Sequence, residues 1–394
     1  MNILFYRYGS ICEPDILEVF RKMGFGIYEH TLEISEKDLP VEKKLESVSA
    51  ILCEHNVDFI FSINYFPFLS ALCDRLNLLY VCFSVDCPVL ELFSNTIHNR
   101  CNRIFLFDYV QYETFHPQNP DCIFYLPLAT NIDRWQSVLA GLSKDELSSY
   151  QNDISFVGSL YHEKSPLSIL NKDTGLSDFD TGYMNGLIEA QLKVYGSDFL
   201  EDAVSADWVS HVKQLFPDFL TLSDAFTDTD RYVAANYYLG MRASETERVR
   251  ILNKLAEQFP VSLYTRSDTR LLKNVVCRGG VTTHTQMPAV FYGSKINLNI
   301  TIKSIQSGLS LRIWDILGCG GFLLSNYQAE IPEYFEIGKD LDCYESIPDL
   351  INKVSYYLNH DDIRMEIAGN GYRKVKAMHT WEHRIAAMMQ TLFC

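Results

Sequence analysis

Short apolar runs alternate with helix-like segments along the first 150 residues. EPDILEVFRKMGF and DLPVEKKLESVSAILCEHN carry apolar residues at helical spacing. The runs between them are rich in Ile, Phe, Tyr and Val, as is typical of buried strands: NILFYRY, IYEHTLEI, DFIFSIN, LLYVCFSVD, RIFLFD and CIFYLPL. Strands that alternate with helices predict βαβ units and a parallel sheet covered by helices.

The same alternation starts again at DISFVGSLY, residues 153 to 161. Residues 162 to 258 predict helices and no strand. Further strands are then predicted at VSLYTR, NVVCRG, KINLNIT, FLLSN and LDCYES, before a helical tail with a Gly-rich break. The chain is therefore predicted to be α/β, with two Rossmann-like doubly wound domains that face a central cleft. Ligands of such sheets bind beside the carboxyl ends of the strands.

Domain boundaries follow from this restart. Residues 1–150 are predicted to form an N-terminal α/β domain. Residues 151–375 are predicted to form a second α/β domain with a helical insertion at about 162–258. Residues 376–394 are expected to form a final helix that packs back across the domains.

Composition narrows the possible classes of protein. The 394 residues carry a net charge of −16, which should repel nucleic-acid backbones and anionic lipid. We find no signal peptide in MNILFYRYGS and no apolar run of bilayer-spanning length, so we expect a cytoplasmic protein without membrane insertion. The 11 Cys include no CxxC pair and are typical of reduced core residues.

Positive charge concentrates in one window of this acidic chain. Between Val261 and Arg312 the only acid is Asp268, and the window has a net charge of +6. Its basic residues are Arg266, Arg270, Lys273, Arg278, Lys295, Lys303 and Arg312. Because the window coincides with predicted strand ends, it favours a site for a phosphate or diphosphate. The alternative is a solvated basic face that pairs with the acidic surroundings.

The segment SGLSLRIWDILGCGGFLLSN, residues 307 to 326, places one Arg and one Asp in an apolar helix. Ser310 is predicted to be the N-cap, so that the backbone N–H groups of the first turn can bind an anion. Arg312 can fork onto phosphate oxygens, and Asp315 can accept hydrogen bonds from ribose hydroxyls. The alternative is an Arg312–Asp315 ion pair along the helix, and the residues alone do not decide between the two.

Four segments in order carry a resemblance to a known family. They are DISFVGSLY, MPAVFYGSKINLNIT, SGLSLRIWDILGCGGFLLSN and KVSYYLNHDDIRMEIAGNGYRKVKAMHTWEHR. Together they resemble GT-B glycosyltransferases of the CgeB-like, spore-maturation-protein type, in their C-terminal glycosyl transferases group 1 domain. The resemblance covers residues 153 to 394. The first 150 residues resemble, more loosely, the uncharacterised N-terminal domain that is often fused to it.

The resemblance implies that residues 151–375 form a nucleotide-sugar-binding domain, and it implies roles for residues of this nucleotide domain. Asp315 would bind the ribose of the donor, whereas the partner acid of the usual E-x7-E pattern falls at Ser307 and is missing. Lys295 would reach phosphate, the alternative being a charge at a strand edge. The other expected donor contacts are Gly158, Ser159, Arg266, Val281, Thr282, Gly308, Leu309, Ser310 and Arg312.

The N-terminal domain would supply the acceptor site. The loop Tyr8-Gly9-Ser10 resembles the loop that approaches the reacting centre in this fold, and Asn64 is a weaker candidate. Asp86 follows a predicted strand, from which it could deprotonate an acceptor hydroxyl. The alternative role for Asp86, a helix N-cap, is the more frequent one for such a residue.

The predicted function is transfer of a sugar from a nucleotide-diphosphate donor, expected to be a UDP-sugar, to a hydroxyl of a protein or glycan. Arg312 would stabilise the departing diphosphate, without a metal or a cofactor other than the nucleotide sugar. Two alternatives remain at this stage. A sugar-nucleotide-binding scaffold would turn nothing over, and a GT-B-fold epimerase would isomerise its donor.

Overall fold

The computed structural model describes residues 1–37, 39–169 and 175–393. Within these ranges the chain forms two compact units. The first unit contains Met1–Ala129, Leu222–Thr229 and residues 381–393, and the second contains Thr130–Thr221 and Asp230–Thr380. The chain therefore leaves the first unit and returns to it twice.

The N-terminal part of the first unit alternates strands and helices. Its elements are β1 (Asn2–Tyr6), α1 (Glu13–Lys22), β2 (Gly26–His30), α2 (Leu32–Ser35), α3 (Val41–Glu54), β3 (Phe59–Ile63), α4 (Pro67–Leu76), β4 (Leu79–Ser84), β5 (Asn102–Leu106), α5 (Tyr109–Phe115) and β6 (Ile123–Tyr125). All strands are parallel, in the order β2-β1-β3-β4-β5-β6. Ile3 to Tyr6 are buried without alternation, because helices cover both faces of such a sheet.

The second unit repeats this plan around a second sheet. Its elements are α6 (Ile132–Ala140), α7 (Lys144–Ser149), β7 (Asn152–Val157), α8 (Pro166–Ile169), α9 (Asp178–Gln191), α10 (Leu200–Ala203), α11 (Ala206–Leu215), α12 (Asp230–Val233), α13 (Met241–Ala256), β8 (Val261–Tyr264), β9 (Val276–Cys277), α14 (Met287–Gly293), β10 (Ser294–Asn299), α15 (Leu311–Gly318), β11 (Leu323–Asn326), α16 (Ile331–Tyr334), β12 (Asp342–Tyr344), α17 (Ile347–Leu358) and α18 (Asp361–Met378). A π-helical stretch, Ala234–Gly240, joins α12 to α13.

The second sheet is also fully parallel, in the order β12-β11-β10-β7-β8-β9. The strand order reverses at β7, which lies between β8 and β10, as in a doubly wound sheet. Its core joins Ile154, Leu263 and Ile296 from the strands with Ile251 and Leu255 from α13. Two doubly wound α/β sheets are therefore confirmed, and each strand overlaps one of the predicted runs, although β2, β5, β7 and β10 each begin one residue earlier than predicted.

The final helix, α19 (Trp381–Phe393), belongs to the first unit. Trp381 is buried with its ring centroid 5.9 Å from that of Phe83. Arg384 donates to the carbonyl oxygens of Pro127 and Leu128, at 2.8 and 3.2 Å. This helix therefore completes the core of the first unit.

The second unit begins earlier than the predicted boundary at residue 150, at Thr130. The Thr130 hydroxyl donates to Asp315 of α15 at 2.8 Å and accepts from Trp135 Nε1 at 2.6 Å. Helices α6 and α7 therefore precede β7 as part of its unit. The predicted helical region agrees with the structure, because residues 162–169 and 175–258 contain helices and no named strand.

The predicted Gly-rich break in the tail is wrong. Helix α18 runs from Asp361 to Met378 and passes through Gly369 and Gly371 without interruption. A Cβ atom at position 371 would collide with the carbonyl oxygen of Asp340 and lie 2.8 Å from Leu317 Cδ2. Gly371 therefore allows close packing on α15 and does not end the helix. In the described residues, no helix combines the length and apolarity that crossing a bilayer requires.

Candidate functional site

A cavity of about 220 Å³ lies at the carboxyl ends of β7, β8 and β9. Ligands bind at this edge of doubly wound sheets. The lining residues are Val157, Gly158, Ser159, Glu163, Tyr264, Thr265, Arg266, Ser267, Gly280, Val281, Thr283, Met287 and Arg312. The structure thus brings together five of the predicted donor-site residues: Gly158, Ser159, Arg266, Val281 and Arg312.

One carboxylate ties together the loops that follow β7 and β8. Glu163 accepts hydrogen bonds from Ser159 Oγ at 2.6 Å and from Ser267 Oγ at 2.8 Å. The same hydroxyls accept from the backbone N–H groups of Tyr161 and Leu160, at 2.9 and 2.8 Å. Burial acts to raise the pKa of Glu163, but the hydrogen bonds from the serines outweigh it and lower that pKa. The ionised carboxylate therefore holds both walls of the cavity.

Arg312 is a cation without an acidic partner. It occupies the second position of α15, with its guanidinium carbon 5.3 Å from the centre of the Phe291 ring and a hydrogen bond to Met287 Sδ. Burial lowers the pKa of Arg312, while Asp315 acts in the opposite direction. An arginine still carries its charge under these conditions. No carboxylate among the described residues lies within 4.0 Å of its nitrogen atoms.

Arg266 places a second cation at the same cavity. Its side chain is exposed and lies across Gly280, where an added Cβ would be only 2.5 Å from Arg266 Cγ. Within the described ranges Arg266 makes no ion pair with a carboxylate. The one acid that lines the cavity, Glu163, already accepts from two serines. The cavity therefore suits an anionic ligand.

Asp315 is held by a contact that the sequence did not suggest. Its side chain is buried and accepts the hydrogen bond from Thr130. Within the described residues, Arg312 and Asp315 have no nitrogen–oxygen contact within 4.0 Å, so they form no direct ion pair there, although burial lowers the pKa of Arg312 and the charge of Asp315 acts to raise it. Gly318 lets Thr130 come close, because a Cβ there would be 2.7 Å from Thr130 Cγ2. Asp315 does not line the cavity, so its role toward ribose stays a prediction.

The loop before α15 packs against neighbouring loops. Ser310 occupies the predicted N-cap position, but its hydroxyl donates to Asn299 Oδ1 at 3.2 Å and does not cap the helix. Leu309 is buried, and Gly308 accepts from Gln328 Nε2 at 3.3 Å. Ser307, Gly308, Leu309 and Ser310 do not line the cavity. This loop leads into α15 and is held by Asn299 and Gln328. Its direct contact with a ligand stays a prediction.

Ser307 has a carboxylate beside it that the sequence pattern did not predict. Its hydroxyl donates to Glu330 Oε1 at 2.7 Å, and both residues are buried. Glu330 comes from the segment between β11 and α16, 23 residues further along the chain. A carboxylate, that of Glu330, therefore lies next to position 307, where the usual pattern would place an acid.

Two further predicted residues, Lys295 and Thr282, also do not line the cavity. Lys295 lies near the amino end of β10, at the opposite edge of the sheet, and pairs with Asp153 at 2.7 Å. The alternative that it is a charge at a strand edge describes its position. Thr282 is occupied in the turn before α14, where its N–H donates to Gln286 Oε1 at 3.0 Å.

In the first unit, the loop Tyr8-Gly9-Ser10 surrounds a carboxylate of its own chain. The backbone N–H groups of these three residues donate to Glu13 Oε1 at 2.9, 2.8 and 3.0 Å. Arg7 Nε reaches Glu13 Oε2 at 3.0 Å, and Gly9 has the positive φ of +94° that the loop requires. The amides of this loop are therefore saturated by Glu13. The predicted approach of this backbone to a reacting centre does not match that arrangement.

Three predicted acceptor-side residues do meet. Asn64 Nδ2 donates to the Tyr8 hydroxyl at 2.8 Å and to Asp86 Oδ2 at 2.6 Å. Asp86 is exposed. The burial of Tyr8 and the nearby charge of Asp86 raise the pKa of Tyr8 well above its ordinary value. The helix-cap alternative for Asp86 is wrong, because the next helical turn begins at Leu90 with Val89 in the cap position. A role as base stays a prediction.

Two cavity residues, Glu163 and Ser267, belong to no motif that we recognised. Met287 opens the resembled segment MPAVFYGSKINLNIT, and Thr283 lies next to the predicted Thr282. Their common signal is position, since each follows or faces the carboxyl end of a strand. Arg248 of α13 also contacts this region, with Nη1 2.6 Å from the carbonyl oxygen of Ser159. It belongs to α13, a helix with many charged positions, and the sequence analysis did not single it out.

The described fold matches solved glycosyltransferase structures. Alr3699/HepE from Anabaena, in complex with UDP and glucose, aligns over 100% of both chains with a TM-score of 0.53 and 11% identity. Sucrose-phosphate synthase from Thermosynechococcus elongatus gives 0.53 and 12%, over 100% of this chain and 98% of that one. A glycosyltransferase from Rickettsia africae gives 0.51 and 12%, over the same shares. The two parallel sheets therefore have the predicted GT-B architecture.

Sequence comparison adds a partial match. Residues 242–390 match the family model described as glycosyl transferase-like. This stretch includes α13, Arg266 and Arg312, and thus one wall of the cavity. The search of curated proteins found no match. The CgeB-like subfamily and the N-terminal resemblance stay predictions.

Proposed function

We propose that this protein is a glycosyltransferase that moves a sugar from a nucleoside-diphosphate sugar to an acceptor hydroxyl. The observation that carries the proposal is Arg312, a cation at the cavity beside β7, β8 and β9 that has no acidic partner in the part of the chain that the structure describes. The glycosyl transferase-like match includes this residue. A UDP-sugar is the proposed donor, and the solved complex of HepE with UDP and glucose supports that choice.

Catalysis would depend on the leaving group. Arg312 and Arg266 would bind the diphosphate and stabilise the charge that develops on it as the glycosidic bond breaks. Cations fixed before the reaction stabilise that charge without reorganisation, so the proposed reaction needs no metal. Asp315 would bind the ribose hydroxyls once the donor is seated, and the loop 307–310 would hold α15 in place.

Asp86 is the proposed base for the acceptor hydroxyl. It is exposed, and Asn64 holds one of its carboxylate oxygens at 2.6 Å. A carboxylate fixed in this way can take a proton from an incoming hydroxyl. The acceptor is proposed to be a protein or a glycan, because both offer neutral hydroxyl groups.

A ligand panel tests the donor site. Thermal shifts would be measured with UDP, GDP, CMP, ADP and NAD on the wild type, Arg312→Ala and Arg270→Ala. Arg270 is the matched control, because it lies in the same basic window but is exposed and paired with Asp268 at 2.5 Å. We expect one diphosphate to stabilise the wild type and Arg270→Ala by several degrees, and Arg312→Ala hardly at all.

Turnover gives the second test. With the nucleotide sugar selected by the panel, we expect Arg312→Ala to lower kcat/KM at least about 100-fold, as loss of one charge-stabilising group does elsewhere. Activity of Arg312→Ala within a few-fold of wild type would refute the assignment. Product analysis separates the classes of function: a glycosylated acceptor, an isomerised donor, or neither for a binding scaffold.

A further inference from the structure

A second arginine lies behind the cavity and is more deeply buried than Arg312. Arg248 of α13 is 8% exposed, and its neighbour Glu247 is engaged with Lys303 at 2.9 Å. Among the residues that the structure describes, Arg248 has no carboxylate within 4.0 Å. Taking a charge out of water without a countercharge is costly, and burial lowers the pKa of Arg248. A feature of this kind calls for a compensating interaction.

Neutral groups supply part of that compensation. Nη1 donates to the carbonyl oxygen of Ser159 and Nη2 to that of Ile300, both at 2.6 Å. The guanidinium carbon lies 4.6 Å from the centre of the Tyr161 ring and 5.3 Å from that of Phe156. Carbonyl dipoles and aromatic faces stabilise a cation but leave its net charge in place. Nε has no hydrogen-bond partner.

These contacts join two loops at the carboxyl edge of the sheet. Ser159 lines the cavity after β7, and Ile300 follows β10. Arg248 passes beside Gly158, where an added Cβ would be 3.8 Å from Nη1 and 3.3 Å from the Phe156 ring. The guanidinium therefore fixes the backbone of the β7 loop without lining the cavity itself.

We propose that Arg248 is a positioning residue of the donor site, which clamps the β7 and β10 loops and adds a buried positive charge that a bound diphosphate neutralises. This inference rests on the proposed function. The charges of Arg248 and Arg312 oppose each other in the unliganded protein, and a diphosphate between the loops relieves that repulsion. The affinity for phosphate groups thus depends on a residue that does not touch them.

The comparison of UDP with uridine tests this proposal. Dissociation constants would be measured by calorimetry or ligand-observed NMR for the wild type, Arg248→Met and Arg248→Lys. The matched control is Arg250→Met, in the same helix, whose side chain is half-exposed and paired with Glu189 at 2.5 Å. Arg248→Met is expected to weaken UDP at least tenfold and uridine less than twofold, since uridine carries no phosphate. Arg248→Lys keeps the charge but lacks the two guanidinium nitrogens that donate to the two carbonyl oxygens, so its dissociation constant for UDP is expected to lie between those of the wild type and Arg248→Met.

Other outcomes overturn the proposal in distinct ways. If the dissociation constants of UDP and uridine rise by the same factor, Arg248 has only a structural role. If neither dissociation constant changes, Arg248 does not contribute to the donor site. If Arg248→Met does not fold, Arg248→Lys with Arg250→Lys carries the same comparison. Wild-type protein that binds UDP but transfers no sugar would overturn the proposed function alone. Wild-type protein that binds none of the nucleoside diphosphates in the panel would overturn both.

Discussion

At the scale of single residues, one carboxylate organises the loop after the first strand of each unit. Glu13 accepts from the three amides of the Tyr8-Gly9-Ser10 loop. Glu163 instead accepts from serine hydroxyls, and the two arginines that line its cavity have no carboxylate partner among the described residues. Backbone amides in such a turn are a natural anion site. An anionic ligand at the first loop would have to displace Glu13. At the second loop, the positive charges of Arg266 and Arg312 can bind an anionic ligand directly.

Glu13→Ala is expected to lower the free energy of unfolding by about 3 kcal/mol, because three amides and Arg7 lose a buried charged partner. Urea unfolding measures the change. Glu18→Ala in the same helix is the control, since Glu18 is partly exposed and its pairing with Lys22 is an i,i+4 contact. Its expected cost is below about 0.5 kcal/mol. Equal costs for the two variants would contradict the assigned role of Glu13.

The titration of Asp198 is expected to make the stability of the protein depend on pH. Burial raises the pKa of Asp198 to about 6, and the nearby charge of Lys303 only partly opposes it. The folded state thus holds this proton more tightly than the unfolded state, so the ionised carboxylate destabilises the fold above about pH 6. That penalty fades as the pH falls toward the ordinary carboxyl range near ~4.

Asp198→Asn is therefore expected to raise the free energy of unfolding by roughly 1 to 3 kcal/mol at pH 8. The difference should disappear near pH ~4. The amide oxygen can still accept from Leu200 N–H, as Oδ1 does now at 2.8 Å. Asp207→Asn, at an exposed position, is the control and should change stability by less than about 0.5 kcal/mol. A gain that is the same at both pH values would argue against this titration.

At the scale of elements, hydrophobic pattern was sufficient to locate the strands. A buried parallel strand such as Phe59–Ile63 is apolar at nearly every position, so it differs visibly from the helices around it. The pattern did not predict the continuity of α18. Glycine weakens a helix by local propensity, but the space that α15 leaves for Gly371 depends on a tertiary contact.

The two glycines of α18 should respond in opposite directions to alanine. Gly371→Ala would meet Asp340 and Leu317, and is expected to destabilise the protein by about 2 kcal/mol or more. At Gly369 the close neighbour is the end of the flexible Arg373 side chain, 3.3 Å away. Gly369→Ala should therefore stabilise the helix by roughly 0.5 to 1 kcal/mol. Melting temperatures decide the matter, and losses of similar size at both positions would disprove the packing argument.

At the scale of the whole molecule, the basic window contains both cations that line the cavity and cations that pair with acids. Lys295, Lys303 and Arg270 each pair with an acid, at 2.7, 2.9 and 2.5 Å. Arg266 and Arg312 face the cavity without an acidic partner among the described residues. Position in the strand could have excluded Lys295, because ligands bind at the opposite edge of a parallel sheet.

The remaining site residues are brought together by contacts between segments that are distant in sequence, and no local sequence pattern predicts such contacts. Glu163 lies in the loop after β7 and contacts Ser267 in the loop after the neighbouring strand β8, more than 100 residues away in sequence. Arg248 lies in a helix with many charged positions, so its burial is invisible in the sequence. Thr130 reaches Asp315 over 185 residues. Such contacts connect distant segments, and hydrophobic periodicity carries no information about them.

The return of α19 to the first unit has a consequence for protein synthesis. The ribosome delivers Met1–Ala129 first, together with all six strands of that sheet. The side chain of Trp381, which packs against Phe83, is translated only after the whole second unit. Domains usually fold in the order in which they emerge. Within this chain, the six strands of the first unit emerge before α19, so Phe83 lacks its contact with Trp381 until residues 381–393 have been synthesised.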